Sequence, residues 1–306
     1  MNLNKKIKVF SYDAGGANLV MAYAYFMYKK GYKVECYPQG PAINIFNKHI
    51  PFLVNKSKAI LQNNDKIIIS TSGIHSDYEI EKLIEAKKKG LEVFCFLDSV
   101  LNLEKRFCLN NVFLEESFLP DVIYSQTPEE IIDNRIRKRV EFKEDLYIKY
   151  IKEVFYPQLK TKDELILENK GKYFLFLSEY ILELYGDKFG FNEYDSLKLF
   201  LDSMEEEKNT TKIFIKLHPA ENKNKFDDII NNYKNLNIYL KEFDLHEVLY
   251  NCKVVFGINS SVFKESLLLG KPTVSIQVKA NIKIPKNIKL IDSKNKLKQL
   301  LRQINE

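Results

Sequence analysis

Residues 254–276, which read VVFGINSSVFKESLLLGKPTVSI, carry the pattern that decides the fold. A short apolar run at 254–256 is followed by a small polar loop, an amphipathic run at 262–269 and a second apolar run at 273–276. Apolar runs of this length are typical of buried strands, and the amphipathic run is predicted to be a helix that ends at Gly270. Strand, helix and strand in this order predict a parallel βαβ unit.

The same alternation extends from this segment towards both ends of the chain. Near-continuous apolar strands separated by helices predict parallel sheets that are covered on both faces. The charged stretch 129–170 shows no clear strand and is interpreted as the connection between domains. We therefore predict an α/β fold of two Rossmann-like, doubly wound parallel-sheet domains that face a cleft, at residues 1–160 and 161–306. The predicted strands lie at residues 7–12, 33–37, 66–70, 92–97, 120–124, 173–177, 212–217, 237–240, 254–256 and 273–276, and the predicted helices include 18–30, 77–89, 193–207 and 226–233.

Composition and charge exclude several classes of protein. Of the 306 residues, 45% are hydrophobic and 29% are charged, which is the balance of a globular chain and not of a disordered one. The 47 basic and 41 acidic residues give a net charge of +6, which is interpreted as a lysine-rich surface spread along the chain. Because basic and acidic residues are interspersed, a nucleic-acid partner is not expected. The charge leaves open a peripheral association with the inner face of a membrane.

The cysteines and the apolar runs indicate the compartment. The four cysteines show no CxxC spacing, so they are interpreted as reduced thiols in a reducing compartment. No run approaches the ~18 apolar residues of a membrane span, and the N-terminal apolar run is too short for a signal peptide. We therefore predict a cytoplasmic protein that does not span a membrane, and the oligomeric state stays open.

Two loops of the first domain carry candidate binding residues. In open parallel sheets, ligands bind beyond the carboxyl ends of the strands. The loop DAGGAN at residues 13–18 either brings backbone N–H groups close to an anion or a sugar hydroxyl, or is a tight turn whose glycines supply unusual dihedrals. The polar loop STSG at residues 70–73 follows the apolar strand at 66–70, and it either holds acceptor-sugar hydroxyls or is an ordinary loop with a cap. The candidates in these two loops are Gly15, Gly16, Asn18, Thr71 and Ser72.

Two aspartates are candidates for a general base. Asp98 directly follows the apolar strand at 92–97, where a partly desolvated carboxylate suits the deprotonation of a hydroxyl group. The alternatives for Asp98 are a cap for the next helix or a structural pair with Arg106. Asp13 is the second candidate, and its alternative is a turn-forming cap.

The second domain offers polar side chains at the ends of its predicted strands. His218 follows the strand at 212–217, and Pro219 fixes the backbone beyond it, so the imidazole is held where it can donate to a phosphate oxygen. Two serines precede the helix at 262–269, where they either hold a phosphate or merely cap the helix. A glutamate one turn further on either reaches a ribose hydroxyl or is solvated. The candidate phosphate- and ribose-binding residues are His218, Pro219, Ser260, Ser261, Glu265 and Ser178.

The order and spacing of His218-Pro219 and Ser260-Ser261 resemble the HP and serine motifs of bacterial sialyltransferases, polysialyltransferases and Kdo transferases of the GT-B fold. The resemblance implies that the histidine and the two serines bind the cytidine monophosphate part of a sugar donor. These families use a carboxylate of the N-terminal half as general base, often in an acidic-acidic-glycine motif that this chain lacks. Residues 257–272 also resemble the donor half shared by UDP-sugar transferases, glycerophosphotransferases and non-hydrolysing nucleotide-sugar epimerases.

The resemblance and the strand-end residues together favour a glycosyltransferase. We expect an inverting transfer without a metal or cofactor, in which Asp98 or Asp13 takes the acceptor proton and His218 stabilises the departing phosphate. The expected partners are a nucleotide sugar and a glycan or protein acceptor, for surface-glycan synthesis or protein glycosylation. The alternatives are a UDP-sugar transferase or nucleotide-sugar epimerase of the same fold, and a non-catalytic sugar- or nucleotide-binding protein.

Overall fold

The computed structural model describes residues 6–71, 76–98 and 103–305. The chain divides into two compact units, Met1–Phe155 (unit 1) and Tyr156–Glu306 (unit 2). Each unit is built on a parallel sheet of six strands with helices packed against it. The predicted α/β fold with two Rossmann-like domains is confirmed.

Strands and helices alternate along unit 1. Its described strands are β1 (Ile7–Ser11), β2 (Val34–Pro38), β3 (Lys66–Ile69), β4 (Glu92–Phe96), β5 (Cys108–Leu109), β6 (Val112–Phe113), β7 (Val122–Ser125) and β8 (Val140–Phe142). Its described α-helices are α1 (Ala14–Lys29), α2 (Ala42–His49), α3 (Tyr78–Lys88), α4 (Asn134–Arg137) and α5 (Leu146–Tyr150). Short helical turns lie at Pro51–Leu53, Glu104–Phe107, Glu116–Phe118, Pro128–Glu130 and Ile151–Phe155.

The strand order of unit 1 locates its ligand-binding edge. The order is β2-β1-β3-β4-β7-β8, and all neighbours are parallel. The chain steps outward from β1 to β2 and then returns to the other side of β1 with β3. In such sheets a crevice forms where the order reverses, at the carboxyl ends of the two strands. The crevice of unit 1 therefore lies between the loops that follow β1 and β3.

Unit 2 repeats the alternation with another order. Its described strands are β9 (Tyr173–Leu177), β10 (Lys212–Lys216), β11 (Ile238–Leu240), β12 (Val254–Gly257), β13 (Thr273–Ile276) and β14 (Lys289–Ile291). Its described helices are α6 (Glu164–Glu168), α7 (Ile181–Tyr185), α8 (Glu193–Glu206), α9 (Asp227–Ile230), α10 (Leu245–Asn251), α11 (Phe263–Leu268) and α12 (Lys294–Asn305), with a short turn at Tyr156–Gln158. The parallel sheet has the order β11-β10-β9-β12-β13-β14, which places the reversal between β9 and β12.

Strand β9 shows why both faces of this sheet are covered. All five of its residues are buried. Because side chains alternate between the two faces of a strand, Phe174 and Phe176 enter one core, while Tyr173, Leu175 and Leu177 enter the other. A continuous apolar run in the sequence is thus the signature of a strand between two layers of helices.

Several predicted boundaries were wrong for physical reasons. Helix α1 begins at Ala14 and not at residue 18, since Gly15 and Gly16 are helical. The stretch 129–170 contains strand β8, whose residues are half-buried or exposed and therefore show no apolar run. Edge strand β14 escaped prediction for the same reason, with only one buried residue. The predicted helix at 226–233 is a single turn at Asp227–Ile230.

The apolar segments and the cysteines agree with a folded globular chain. Among the described residues, no helix combines the length and the apolar character needed to cross a bilayer. The four cysteines are unpaired thiols, and Cys36, Cys95 and Cys252 are buried. Burial raises the pKa of the Cys252 thiol to about 12. These buried thiols act as small apolar side chains.

Candidate functional site

A buried carboxylate joins the strand ends at the crevice of unit 1. The Glu79 side chain accepts hydrogen bonds from the Tyr12 N–H at 2.8 Å and from the Ser70 hydroxyl at 3.0 Å. The Ser70 and Ser11 hydroxyls are 2.7 Å apart. Both serines and Glu79 are buried, so this network fixes the ends of β1 and β3 relative to each other.

The two glycines of the DAGGAN loop allow close approach and do not supply unusual dihedrals. Gly15 and Gly16 lie in the first turn of α1, and neither has a positive φ. A Cβ atom on Gly15 would lie 2.2 Å from Asp98 Oδ2, and a Cβ atom on Gly16 would lie 2.5 Å from the Ser70 Cβ. The interpretation of these glycines as a source of turn dihedrals was therefore wrong.

Arg106 holds two of the predicted residues of unit 1, Asp98 and Thr71, together. Its Nη1 donates to Asp98 Oδ1 at 2.6 Å and to both the carbonyl and the hydroxyl of Thr71 at 3.1 Å. The other carboxylate oxygen of Asp98 faces Gly15. About a quarter of the Asp98 side chain is exposed (27%), so a substrate can reach it. The pair with Arg106 that the sequence offered as an alternative is present, and it orients the carboxylate at the start of α1.

The remaining predicted residues of unit 1 lie near this point or outside the described ranges. Asp13 occupies the N-cap position of α1, but its side chain accepts no capping hydrogen bond from the helix. Asn18 is half-buried in the second turn of α1. Ser72 lies outside the described residues. The general-base roles of Asp98 and Asp13 stay predictions.

A polar cavity of about 610 Å³ opens at the carboxyl end of β2. Its wall includes Tyr37 and Tyr78, and the Tyr78 hydroxyl donates to the Tyr37 carbonyl at 2.8 Å. Lys56, Lys58 and Lys82 also line it. Hydroxyl, amide and ammonium groups in such a wall suit a hydroxyl-rich ligand.

In unit 2, the Glu179 side chain connects the ends of two neighbouring strands at the crevice. Glu179 was not among the site residues predicted from the sequence. It follows β9 by two residues, and its Oε1 accepts from the N–H groups of Ile258 at 2.8 Å and Asn259 at 2.7 Å. The loop after β9 is thereby tied to the loop that leads to Ser260. The available signal was an acidic residue just beyond the most apolar strand of the chain, next to Ser178.

Burial raises the pKa of the Glu179 carboxyl to about 7, and the charges of Glu193 and Glu221 add to the rise, while the two N–H donors oppose it. The group therefore exchanges its proton near neutral pH. Carboxyl groups of this kind are common at functional sites, because acid–base chemistry needs a pKa near the working pH.

Replacing Glu179 by glutamine is expected to stabilise the protein above about pH 7 and not below pH 4.5. Between the ordinary pKa of 4.5 and the folded value of about 7, the folded state holds a proton that the unfolded state has released. The wild type therefore loses stability as pH rises through this window. Glutamine stays neutral and keeps an oxygen for the two N–H donors, so the gain at high pH reaches about 3 kcal/mol. Melting temperatures across this pH range measure it, and a gain that is independent of pH would contradict it.

The loop of unit 2 that carries His218 and Pro219, called the HP loop below, is held by one carboxylate. Glu221 accepts from the His218 N–H at 2.7 Å and from the Ser178 hydroxyl at 2.8 Å. His218 Nδ1 accepts from the Ala220 N–H at 3.2 Å, which in the neutral imidazole assigns the proton to Nε2. The His218 ring is exposed and lies parallel to the Tyr180 ring, with centroids 6.1 Å apart. The histidine therefore presents an N–H donor to solvent from a fixed loop.

A buried lysine holds Glu221 in turn. The Lys225 ammonium is 2.7 Å from Glu221 and 3.0 Å from Glu183, and it also pairs with Glu193. The side chains of Lys225, Glu193 and Glu221 are at most 2% exposed. Burial lowers the pKa of the Lys225 ammonium, but the hydrogen bonds to the carboxylates outweigh this effect and raise it overall. Lys225 thus positions the HP loop through Glu221.

The two serines precede a helix, as predicted, and that helix begins one residue later than expected. Helix α11 begins at Phe263, and Ser260 and Ser261 form the turn before it. The Ser260 hydroxyl accepts from the Val262 N–H at 3.3 Å, and Ser261 is exposed. Because the N–H groups of Phe263 and Lys264 bond three residues back, this turn is of the 3-10 type. Val262 and not Ser260 is the N-cap of α11, so the alternative in which Ser260 caps the helix was wrong. Phosphate binding by the two serines stays a prediction.

Glu265 is buried and not solvated. Its Oε2 accepts from the Tyr156 hydroxyl at 3.1 Å, and His246 Nε2 is 3.8 Å from the same oxygen. The solvated alternative for this residue was wrong, and its contact with a ribose stays a prediction.

A cavity of about 340 Å³ lies beside the HP loop at the carboxyl ends of β10 and β11. His218 and Pro219 line it together with Lys216, and burial lowers the pKa of the Lys216 ammonium. The carboxylates of Glu221, Asp227 and Glu242 also line the cavity, so the imidazole N–H and the Lys216 ammonium are donors for an anion in a wall of mixed charge. Within the described ranges, no group of three or more His, Cys, Asp or Glu side chains is placed to hold a metal ion.

Comparison with known proteins relates the chain to one family. Residues 119–277, slightly more than half of the chain, match the family described as capsule polysaccharide biosynthesis protein. No curated protein sequence matches the chain.

Solved structures of nucleotide-sugar enzymes share the fold. The UDP-GlcNAc 2-epimerase from Neisseria meningitidis bound to UDP-GlcNAc has a TM-score of 0.62 at 11% identity, covering 98% of this chain and 91% of that chain. The UDP-GlcNAc 2-epimerase from Methanocaldococcus jannaschii has a TM-score of 0.61 at 13% identity, covering 98% and 93%. The glycosyltransferase VinC in complex with dTDP has a TM-score of 0.53 at 8% identity, covering 98% and 90%. At such identities the likeness shows the fold alone.

Proposed function

This chain belongs to the family of capsule polysaccharide biosynthesis proteins, and we propose on that premise that it is a glycosyltransferase that uses a nucleotide-activated sugar. The proposed reaction is an inverting, metal-independent transfer to a glycan or protein acceptor. A CMP-nonulosonate or Kdo-like donor is favoured, because the HP and serine motifs resemble those of CMP-sugar transferases.

The observation that carries the proposal is the pair of hydrogen-bond donors, His218 and Lys216, in the wall of one cavity at the carboxyl edge of the unit 2 sheet. The strand order of unit 2, with β9 and β12 at its centre, is that of the nucleotide-binding Rossmann sheet. His218 presents its Nε2–H from a loop fixed by Glu221, and Lys216 lines the same cavity. A nucleotide phosphate at this wall meets preorganised donors, which stabilise the charge that develops as it departs.

Unit 1 is proposed to activate the acceptor. In an inverting transfer the acceptor oxygen forms a bond to the anomeric carbon as the bond from that carbon to the phosphate oxygen breaks. The acceptor hydroxyl proton goes to Asp98, whose carboxylate is oriented by Arg106 and accessible to solvent. Asp13 is the alternative base. The polar cavity beside β2 is proposed to bind further sugars of the acceptor.

A nucleotide-sugar epimerase or hydrolase is the second candidate function. The position of Glu179 favours it: the side chain lies at the crevice of unit 2 between the loops that follow β9 and β12, and burial raises the pKa of its carboxyl to about 7. Such chemistry needs a carboxyl that exchanges protons near neutral pH. In the epimerase case one carbon of the sugar inverts and no acceptor is needed.

Incubation with nucleotide sugars separates these functions. The purified protein is mixed with CMP-, UDP-, dTDP- and ADP-sugars, with and without oligosaccharide acceptors, and the products are separated by chromatography. Nucleotide release that depends on the acceptor supports the transferase. A changed sugar or a hydrolysed donor without acceptor assigns the second function, and binding without turnover indicates a non-catalytic protein.

We place the reaction in the cytoplasm. The four unpaired cysteines support this placement, because free thiols persist in reducing compartments. Secretion of the active protein with its thiols oxidised would contradict it, and thiol titration of protein taken from cells measures the oxidation state.

A further inference from the structure

The positive charge of the protein is concentrated in one segment. Residues 14–64 contain six lysines and a single acidic residue, Glu35, so this segment alone carries a net charge of +5 out of +6 for the chain. Glu35 is itself paired with Lys6. The excess is therefore not spread along the chain, as the whole composition suggested, but lies on the last turns of α1 and α2 and on the residues that follow these helices.

Exposed aromatic rings accompany this charge. Phe52 is 59% exposed and Tyr28 is 44% exposed, and their ring centroids are 5.2 Å apart. Tyr28 lies in the last turn of α1, and Phe52 lies in the turn that follows α2. Three exposed lysines are close to these rings in sequence: Lys29 and Lys30 directly follow Tyr28, and Lys48 lies in the last turn of α2, four residues before Phe52. The Lys29 and Lys48 ammonium groups lie 5.8 Å and 5.6 Å from the centroids of the Tyr25 and Phe155 rings. We call Tyr28, Lys29, Lys30, Lys48 and Phe52 the basic–aromatic surface.

The topology separates this surface from the candidate site. Helices α1 and α2 each follow a strand and run back across the sheet, and they pack against each other. Their last turns therefore lie at the amino ends of the strands, whereas Asp98 and Ser70 follow the carboxyl ends of β4 and β3. A partner that covers the basic–aromatic surface leaves the strand-end loops of unit 1 open.

We propose that the basic–aromatic surface binds the anionic face of a lipid bilayer. The lysines attract negatively charged headgroups, and each is worth about a fivefold change in affinity near such a surface. Lysine side chains extend their ammonium groups to the headgroups while their stems lie along apolar material. Aromatic rings with one wet and one apolar side are favoured at the boundary between headgroups and acyl chains. A bilayer accounts for both features at once, because it offers an anionic headgroup layer for the lysines and an apolar layer beneath it for the exposed Phe52 ring.

Vesicle cosedimentation tests the proposal with the full chain. The wild type is expected to cosediment with mixed phosphatidylcholine–phosphatidylglycerol vesicles and to dissociate from them as the salt concentration rises. It is not expected to cosediment with vesicles of phosphatidylcholine alone. The triple variant Lys29→Gln, Lys30→Gln, Lys48→Gln is expected to bind about 100-fold more weakly, from three fivefold steps. Phe52→Ser is expected to weaken binding by about tenfold through loss of the buried ring.

Matched controls separate the surface from general charge and general exposure. Lys264, Lys283 and Lys286 are exposed in unit 2, and their change to glutamine removes the same charge. Phe142 is 67% exposed in β8, and Phe142→Ser matches Phe52→Ser. Both control variants are expected to keep wild-type binding, and all variants are checked for an unchanged melting temperature.

Three results would overturn the proposal, and each points to a different explanation. Equal binding to both vesicle types, or to neither, removes the anionic bilayer as the partner. Equal losses in the control triple variant assign the binding to net charge. Tight binding to heparin together with no effect of Phe52→Ser assigns the surface to an acidic macromolecule. The proposal does not rest on the glycosyltransferase reaction, so a failed turnover assay leaves it standing.

Discussion

Asp98→Asn is expected to lower the turnover of sugar transfer by about 10²- to 10⁴-fold, which is the usual contribution of a positioned general base. Asparagine keeps the shape of the side chain and an oxygen for the Arg106 donor at 2.6 Å, but it cannot take the acceptor proton. Turnover is measured at saturating donor and acceptor, and nucleotide binding by unit 2 is expected to stay unchanged.

Two companion variants show whether the Asp98 carboxylate itself is responsible. Gly15→Ala places a Cβ atom 2.2 Å from Asp98 Oδ2 and displaces the carboxylate. It is expected to lower turnover with little loss of stability, since alanine is the better helix former by about 1 kcal/mol. Asp13→Asn is the matched control at the N-cap of α1. Full turnover in Asp98→Asn, with loss in Asp13→Asn, would transfer the base to Asp13.

Lys225→Met is expected to cost about 3 to 5 kcal/mol of unfolding free energy, the range for a buried ion pair that loses one partner. The change leaves Glu193 and Glu221 buried without their cation, since both side chains are 0% exposed. The HP loop should loosen at the same time, because Glu221 holds the His218 N–H and the Ser178 hydroxyl. Denaturant unfolding measures the free energy, and nucleotide affinity reports on the loop.

The double variant Lys225→Met, Glu193→Gln tests whether the buried carboxylates left without their cation cause the loss of stability. Removal of one buried charge is expected to restore part of the stability but not the placement of Glu221. Lys223→Met is the matched control in the same loop, because Lys223 is 74% exposed and pairs with an exposed glutamate; little change is expected. A cost of Lys225→Met no larger than that of the control would contradict the account of the cluster.

The parts of the fold that follow from local pattern were predictable from the sequence. Buried strands such as β9 and β12 are recognisable in the sequence as apolar runs, and glycine indicates where a helix ends. Edge strands β8 and β14 could not be predicted from the sequence, because an exposed strand needs no apolar run and is recognised only by its pairing with a neighbour.

Site residues were predictable only where they directly follow an apolar strand in the sequence. Asp98 and His218 follow apolar strands, and the strand-end rule identifies them as candidates. Glu179 and the Lys225 cluster depend on contacts between residues far apart in sequence, such as the 79-residue separation of Glu179 from Ile258. The role of Gly15 was likewise hidden, because its neighbour Asp98 comes from another strand.

Thermal melting of wild type and His218→Ala with CMP, CDP, UDP, dTDP and CMP-sialic acid shows whether unit 2 binds a nucleotide at the HP loop. A nucleotide at a hundred times its Kd should add about 2.7 kcal/mol, which raises the melting temperature of a unit of this size by about 5 to 10 °C. We predict such a shift for wild type with a cytidine nucleotide and its loss in His218→Ala. No shift with any nucleotide, or an equal shift in both proteins, would contradict nucleotide binding at His218.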